Sequence, residues 1–185
     1  MFTCNIMKAI FLDIDGVINA YTLGSPWTRP DGTIQQPSRG TRTEWSKGIG
    51  SDIDGDGSGL DRNMVERLNR IIESCDWNII ISSSWYYSED TLNAMEYFGF
   101  KYRDRVVGGT WRTVEGRGAQ ILLSVKEFGV KDFITIEDEP YDINGDCDCV
   151  TPEMREIFKD KLFQPNPYVG LTDELTEQII ERVNA

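Results

Sequence analysis

KAIFLDIDGVINA, residues 8–20, changes character at one point. An apolar run rich in strand formers ends at Leu12, then Asp13 and Asp15 follow two residues apart with Gly16 behind them. Such an unbroken apolar run suits a strand buried on both faces, as in a parallel sheet. Asp13 then falls at the C-terminal end of the strand, and Gly16 permits a sharp turn beyond it. The tetrapeptide DIDG returns at residues 52–55, but there it follows SKGIGS, which cannot be a buried strand. The first copy sits at a strand end; the second belongs to a loop.

Outward from that strand the pattern alternates. A polar stretch from about 19 to 60, rich in Gly, Pro, Thr and Arg and containing Trp27 and Trp45, is a long insertion of the kind that is functional or mobile. Asp61 can cap a helix whose apolar positions Met64, Val65, Leu68, Ile71, Ile72 and Cys75 recur at helical spacing. WNIIISSSW reads as a second buried strand, and Ser88 opens a helix that Gly99 stops. After a basic loop or short strand at 101–110, GRGAQILLSVKEFG reads as a helix closed by Gly129, and DFITIEDEP as a third strand. TPEMREIFKD offers a Thr cap with Pro at the first helical position, and the C-terminal LTDELTEQIIERVNA is an amphipathic helix with Leu175, Ile179, Ile180 and Val183 inward.

Strands alternating with helices predict one α/β domain over residues 1–185, a Rossmann-like, mainly parallel sheet with helices on both faces, carrying a small cap-like insertion at about 19–60. Ligands of such sheets lie beyond the C-terminal strand ends. There the three strands end in Asp13 and Asp15, in Ser82 to Ser84, and in Glu137 and Asp138.

Composition narrows the chemistry. Histidine is absent, which removes Ser-His-Asp and Cys-His mechanisms and leaves carboxylates, hydroxyls, Lys and Arg, with a hard cation held by oxygen. The four cysteines form no zinc or disulfide framework and read as free thiols. No apolar run is long enough to span a bilayer and no leader pattern opens the chain, so a cytoplasmic protein with no membrane partner is expected. A net charge of −12 argues against a general nucleic-acid coat. Residues 20–51 and 101–117 nevertheless sum to +2 and +3, so an anion-attracting site is expected if both stretches face it. No oligomeric state is specified.

FLDIDGVIN resembles the signature of the haloacid dehalogenase superfamily of aspartate-nucleophile phosphohydrolases. IIISSSW, RGAQI and ITIEDEP follow in that family's order, so the resemblance spans residues 8–142. LDIDGVIN, SSSW, RGAQI and the late PYVGLTDEL are similar to the small domains of this superfamily in RNA-repair and phage proteins. The chemistry suits the residue types. Phosphoryl transfer needs an in-line nucleophile, a proton donor for the leaving oxygen and positive charge around the equatorial oxygens. Asp13 would attack and form an aspartyl phosphate, while Asp15 would protonate the leaving group and then activate water. Mg²⁺ would be held by the Asp13 carboxylate, the Asp15 carbonyl and an acid of the third strand, Asp138 being favoured and Glu137 close behind. Ser83 is the expected phosphate-binding hydroxyl, with Ser84 second. Arg117 stands where many relatives carry Lys, with Arg112 and Lys101 as alternatives.

The second DIDG starts like a calcium loop, with Asp52, Asp54, Asp56 and Gly57, but Asn63 stands where a bidentate Glu belongs and Gly59 fills the usual apolar site. An acidic loop leading to Asp61 is the preferred reading, and Ca²⁺ at Asp52, Asp54 and Asp56 the alternative. The segment before Arg117 is too short for a large cap. The resemblance then implies an open phosphomonoesterase acting on a nucleotide or a nucleic-acid phosphate end, with Trp27 and Trp45 either stacking on a base or structural. Two rivals remain: a non-catalytic module that binds a phosphorylated ligand or partner, and a small-metabolite phosphatase using the insertion as a lid.

Overall fold

A computed structural model describes residues 7–20, 60–111 and 116–185, together with the backbone of 27–28 and 34–35. The first apolar run forms β1 (Met7–Leu12), the centre of a five-stranded sheet. β2 (Trp27–Thr28) and β3 (Ile34–Gln35) make a separate two-stranded antiparallel ladder in the insertion. β4 (Asn78–Ile81) and β5 (Val106–Gly109) continue the main sheet on one side of β1, and β6 (Val130–Ile136) and β7 (Leu162–Phe163) on the other. All four pairings in the order β5-β4-β1-β6-β7 are parallel. The chain winds one way from β1 through β4 to β5 and then the other way through β6 to β7. The crevice beside the end of β1 is therefore the topological switch point.

Period-two alternation along β1 divides the core. Ile10 and Leu12 face one layer, with Leu68 and Ile72 of α1 (Arg62–Glu73), Leu92 and Met95 of α2 (Glu89–Tyr97) and Ile179 of α6 (Asp173–Val183). Ala9 and Phe11 face the other, with Ile121 of α3 (Arg117–Glu127), Ile143 of α4 (Tyr141–Asn144) and Phe158 of α5 (Pro152–Phe158). Helices thus cover both faces, and the α/β architecture expected from the pattern is observed.

The helix starts follow local chemistry. Asp61 accepts the backbone N–H groups of Asn63 and Met64 at 2.7 and 3.1 Å. Ser88, Thr151 and Thr172 cap α2, α5 and α6 in the same way, each satisfying a donor the helix itself leaves open. Gly99 and Gly129 close α2 and α3 with φ of 105° and 66°. No helix among the described residues is long and apolar enough to cross a membrane.

Two expectations are corrected. Cys147 and Cys149 are joined in a disulfide across Asp148, while Cys75 is a free, partly buried thiol. Of the basic stretch 101–117, Arg117 lines the cleft described below, whereas Lys101, Arg103 and Arg105 do not. Lys101 pairs with Glu66, Arg103 with Glu89 and Glu96, and Arg105 donates to the Cys75 carbonyl. Acids from α1 and α2 thus neutralise Lys101 and Arg103.

Candidate active site

At Leu12 the chain leaves the sheet without losing its hydrogen bonds. The Asp13 N–H donates to the Ile136 carbonyl at 3.0 Å, and the Ile14 carbonyl accepts from Val17 and Ile18. Gly16 turns with φ of 67°, and a Cβ there would lie 2.2 Å from an Asp138 carboxylate oxygen. Both the left-handed backbone and the close approach demand glycine. Asn19, fully buried, locks the turn: its carbonyl oxygen accepts from Gly16 N at 2.9 Å and its amide donates to Asp15 Oδ1 at 2.9 Å.

The turn presents two carboxylates to one cleft of about 390 Å³, lined also by Ser84, Arg117, Glu137, Asp138 and Tyr141. Asp15 is oriented by three donors, Asn19, the Trp85 indole at 2.9 Å and the Ser84 hydroxyl at 3.1 Å. The Ser83 hydroxyl instead accepts from Trp85 N at 3.3 Å and acts on Asp13, whose pKa it lowers. The two candidate serines therefore serve different acids of the pair.

Arg117 opens α3 from the opposite side. Its N–H donates to an Asp142 carboxylate oxygen at 2.7 Å, and its guanidinium stands 3.1 Å from Glu137 and 3.4 Å from Asp13. Burial works against its charge, but Glu137, Asp13 and Asp142 together outweigh that and raise its pKa. For Asp13 the balance tips the other way. Burial, with repulsion from Asp138, pushes its carboxyl up although Arg117, the Ser83 hydroxyl and the Ile14 backbone oppose the shift. Glu137 is pushed up by burial and then by Asp13, with only Arg117 and the Glu139 N–H as the main counterweights.

Asp13, Glu137 and Asp138 are all buried, and each offers one oxygen within 4.8 Å of the others. Among the described residues Arg117 is the sole cation lining the cleft. Three buried carboxylate oxygens facing one guanidinium leave negative charge uncompensated, and an all-oxygen donor set fits a hard divalent cation. The acids of the first and third strands are therefore brought together with Arg117. Lys101 is not, because its ammonium is held by Glu66 at 3.1 Å on α1. Arg112, Trp45, the Trp27 side chain and the Asp52, Asp54 and Asp56 set lie outside the described residues. Asn63, at the position where a calcium loop would end, sits in the first turn of α1.

Three contributors were not singled out from the sequence: Asn19, the Trp85 indole and Tyr141. A polar residue inside the apolar run VINA is the one signal that pointed to Asn19.

A parallel sheet with carboxylates at its switch point fits the haloacid dehalogenase class. Residues 9–176 match the family of HAD domains in Swiss Army Knife RNA repair proteins, and the chain belongs to that family. A haloacid dehalogenase-like family hydrolase from Streptococcus pneumoniae is similar in structure, with 14% identity, a TM-score of 0.46 and coverage of 94% of this chain and 90% of that one. No curated protein matches the chain.

Proposed function

We propose that this protein is a Mg²⁺-dependent phosphomonoesterase that works through an aspartyl-phosphate intermediate, on a nucleotide or a nucleic-acid phosphate end. The observation that carries the reading is the juxtaposition, in one cleft, of Asp13 and Asp15 from a single turn with Arg117 and the acids Glu137 and Asp138. A structural role accounts poorly for this set, because burying like charges together costs stability unless a ligand compensates them.

In this mechanism Asp13 attacks phosphorus in line. The bond to the leaving oxygen breaks, and Asp15 delivers a proton to that oxygen. In the second half Asp15 takes a proton from water, which attacks the aspartyl phosphate and frees inorganic phosphate and the Asp13 carboxylate. Arg117 neutralises charge on the transferring group, and the Ser83 hydroxyl donates to a phosphate oxygen. The Asn19, Trp85 and Ser84 donors hold Asp15 in position for both proton transfers. Asp13, the Asp15 carbonyl and Asp138, with Glu137 beside them, would hold Mg²⁺, which supplies charge neutralisation when bound. The disposition of Asp13 and Asp15 argues against a mere binding module, which gains nothing from carboxylates pressed against a phosphate.

Phosphate release from a small monoester and from 3′- and 5′-phosphorylated oligonucleotides, with Mg²⁺ or with EDTA, tests the reading. Turnover that needs Mg²⁺ and disappears in Asp13→Asn is expected. Turnover that survives Asp13→Asn removes the nucleophile, and none on any substrate with Mg²⁺ present removes the phosphomonoesterase.

A further inference from the structure

Beyond Tyr141 lies a second cavity, of about 420 Å³, lined by Asp138, Glu139, Tyr141, Asn144 and Gln164 among others. Asp138, Glu139 and Tyr141 line both cavities, so the second adjoins the first. Its chemistry differs. No cation lines it among the described residues, and two acids do, so a second phosphate is repelled there. What it offers is an aromatic ring and two side-chain amides, a set suited to a neutral, flat group with hydrogen-bonding edges.

The ring and the amides are held on firm backbone. Tyr141 is 64% exposed, so core packing does not account for it. Yet the short helix beneath it is anchored by Ile143, fully buried, and by Asp142, whose carboxylate accepts from Arg117 N. The Gln164 amide donates to the Asp138 carbonyl at 3.0 Å, which fixes its position against the acid that faces Asp13. The Asn144 amide has no hydrogen-bond partner among the described residues and stands exposed one turn from Tyr141.

We infer that this cavity is the nucleoside subsite of the enzyme: a base stacks on Tyr141, Asn144 and Gln164 read its polar edge, and the phosphate lies at Asp13. The inference rests on the phosphomonoesterase reading and adds the group that determines specificity. It places the neutral nucleoside, rather than a further phosphate, beside Glu139.

Two measurements separate the subsite from the reaction. In the first, kcat/KM is compared for adenosine 3′-monophosphate, adenosine 5′-monophosphate and ribose 5-phosphate in the wild type, Tyr141→Ala, Tyr141→Phe and Asn144→Ala. The wild type is expected to prefer at least one nucleotide over the base-free sugar phosphate. That preference falls roughly tenfold in Tyr141→Ala, through KM, and is kept in Tyr141→Phe, because either ring can stack. Asn144→Ala lowers it less. Equal use of ribose 5-phosphate, or a preference untouched by Tyr141→Ala, overturns the subsite. In the second, saturation-transfer NMR detects adenosine itself, without phosphate, on the wild type, and loses it on Tyr141→Ala. A signal here with no phosphate release from any substrate sinks the phosphomonoesterase and keeps the base site; active enzyme with no adenosine signal does the reverse. A 3′-phosphorylated oligonucleotide run beside the mononucleotides tells whether the nucleoside comes from a chain end or a free nucleotide.

Discussion

Strand β6 carries a carboxylate at each end of its span, Asp132 near its start and Glu137 just past its finish, and the two live in opposite circumstances. Asp132 takes Lys161 at 2.8 Å and Arg182 at 2.9 Å. Burial alone would push it up, but those two cations outweigh it and leave its carboxyl at about 2. Among the described residues Glu137 pairs only with Arg117, which it shares with Asp13, and it lies within reach of two further acids. Burial and the Asp13 charge push it well above the ordinary carboxylate range. One end of the strand thus has more positive charge than it needs, and the other too little. Compensated charge locks a fold; uncompensated charge at a sheet's switch point is an invitation to a ligand.

The sharpest way to break that contrast is to remove charge at the uncompensated end. Asp13→Asn is expected to lower Mg²⁺-dependent phosphate release by at least about 10³-fold, as loss of a nucleophile does. It is also expected to make the metal-free protein more stable at pH 8, by more than about 1 kcal/mol, since a buried like charge disappears. Denaturant midpoints in EDTA check this, and a destabilised variant would mean the acids are already compensated. A second test supplies the missing cation. Mg²⁺ at about 100 times its Kd stabilises by about 2.7 kcal/mol, which for a chain of this size raises Tm by about 5–10 °C. Asp138→Asn should remove most of that rise. At the compensated end the effect is smaller and of the opposite sign. Asp132→Asn is expected to lower Tm by about 2–4 °C, the effect of losing roughly 1 kcal/mol of ion pairing, with phosphate release unchanged.

The same contrast explains what could be read along the chain. β1, β4 and β6 end in apolar stretches buried on both faces, and the helices declare themselves through Asp61, Ser88, Thr151 and Thr172. β7 is two half-buried residues, and α4 four, too short for any periodicity. β5 reads as either loop or short strand, because the glycines of VVGG weaken strand propensity. In three dimensions Gly108 is required by the Phe128 ring, 2.7 Å from where a Cβ would lie, and Gly109 by Tyr87 at the same distance. At the site, Asp13, Asp15, Arg117, Glu137 and Asp138 are named by residue type at strand and helix ends. Asn19, the Trp85 indole and Tyr141 act through contacts across 4 to 70 residues or through a cavity wall, which no local pattern carries. The pairing of Lys101 and Arg103 is equally invisible along the chain, since the acids that hold them come from α1 and α2.

Acid titration separates the two ends most finely, because the signs of their pH dependence are opposite. Asp132 has a folded pKa pushed below its ordinary value of 3.8, to about 2. The folded state therefore binds its proton less tightly than the unfolded chain does. Its contribution is complete above about pH 4 and is lost as pH falls through about 2, so wild type and Asp132→Asn should differ at pH 5 and converge near pH 2. Asp13 is raised from 3.8 to about 7. The folded state binds that proton more tightly, so ionising it costs stability that accumulates as pH rises from about 4 to about 7 and is constant beyond. In EDTA, wild type and Asp13→Asn should then coincide near pH 4 and diverge toward pH 8, with the variant the more stable. Denaturant midpoints for the three proteins at pH 2, 4, 6 and 8 measure both windows together. Parallel curves for wild type and Asp13→Asn would show that the cluster carries no excess charge, and the argument for a cation there would lose its electrostatic basis.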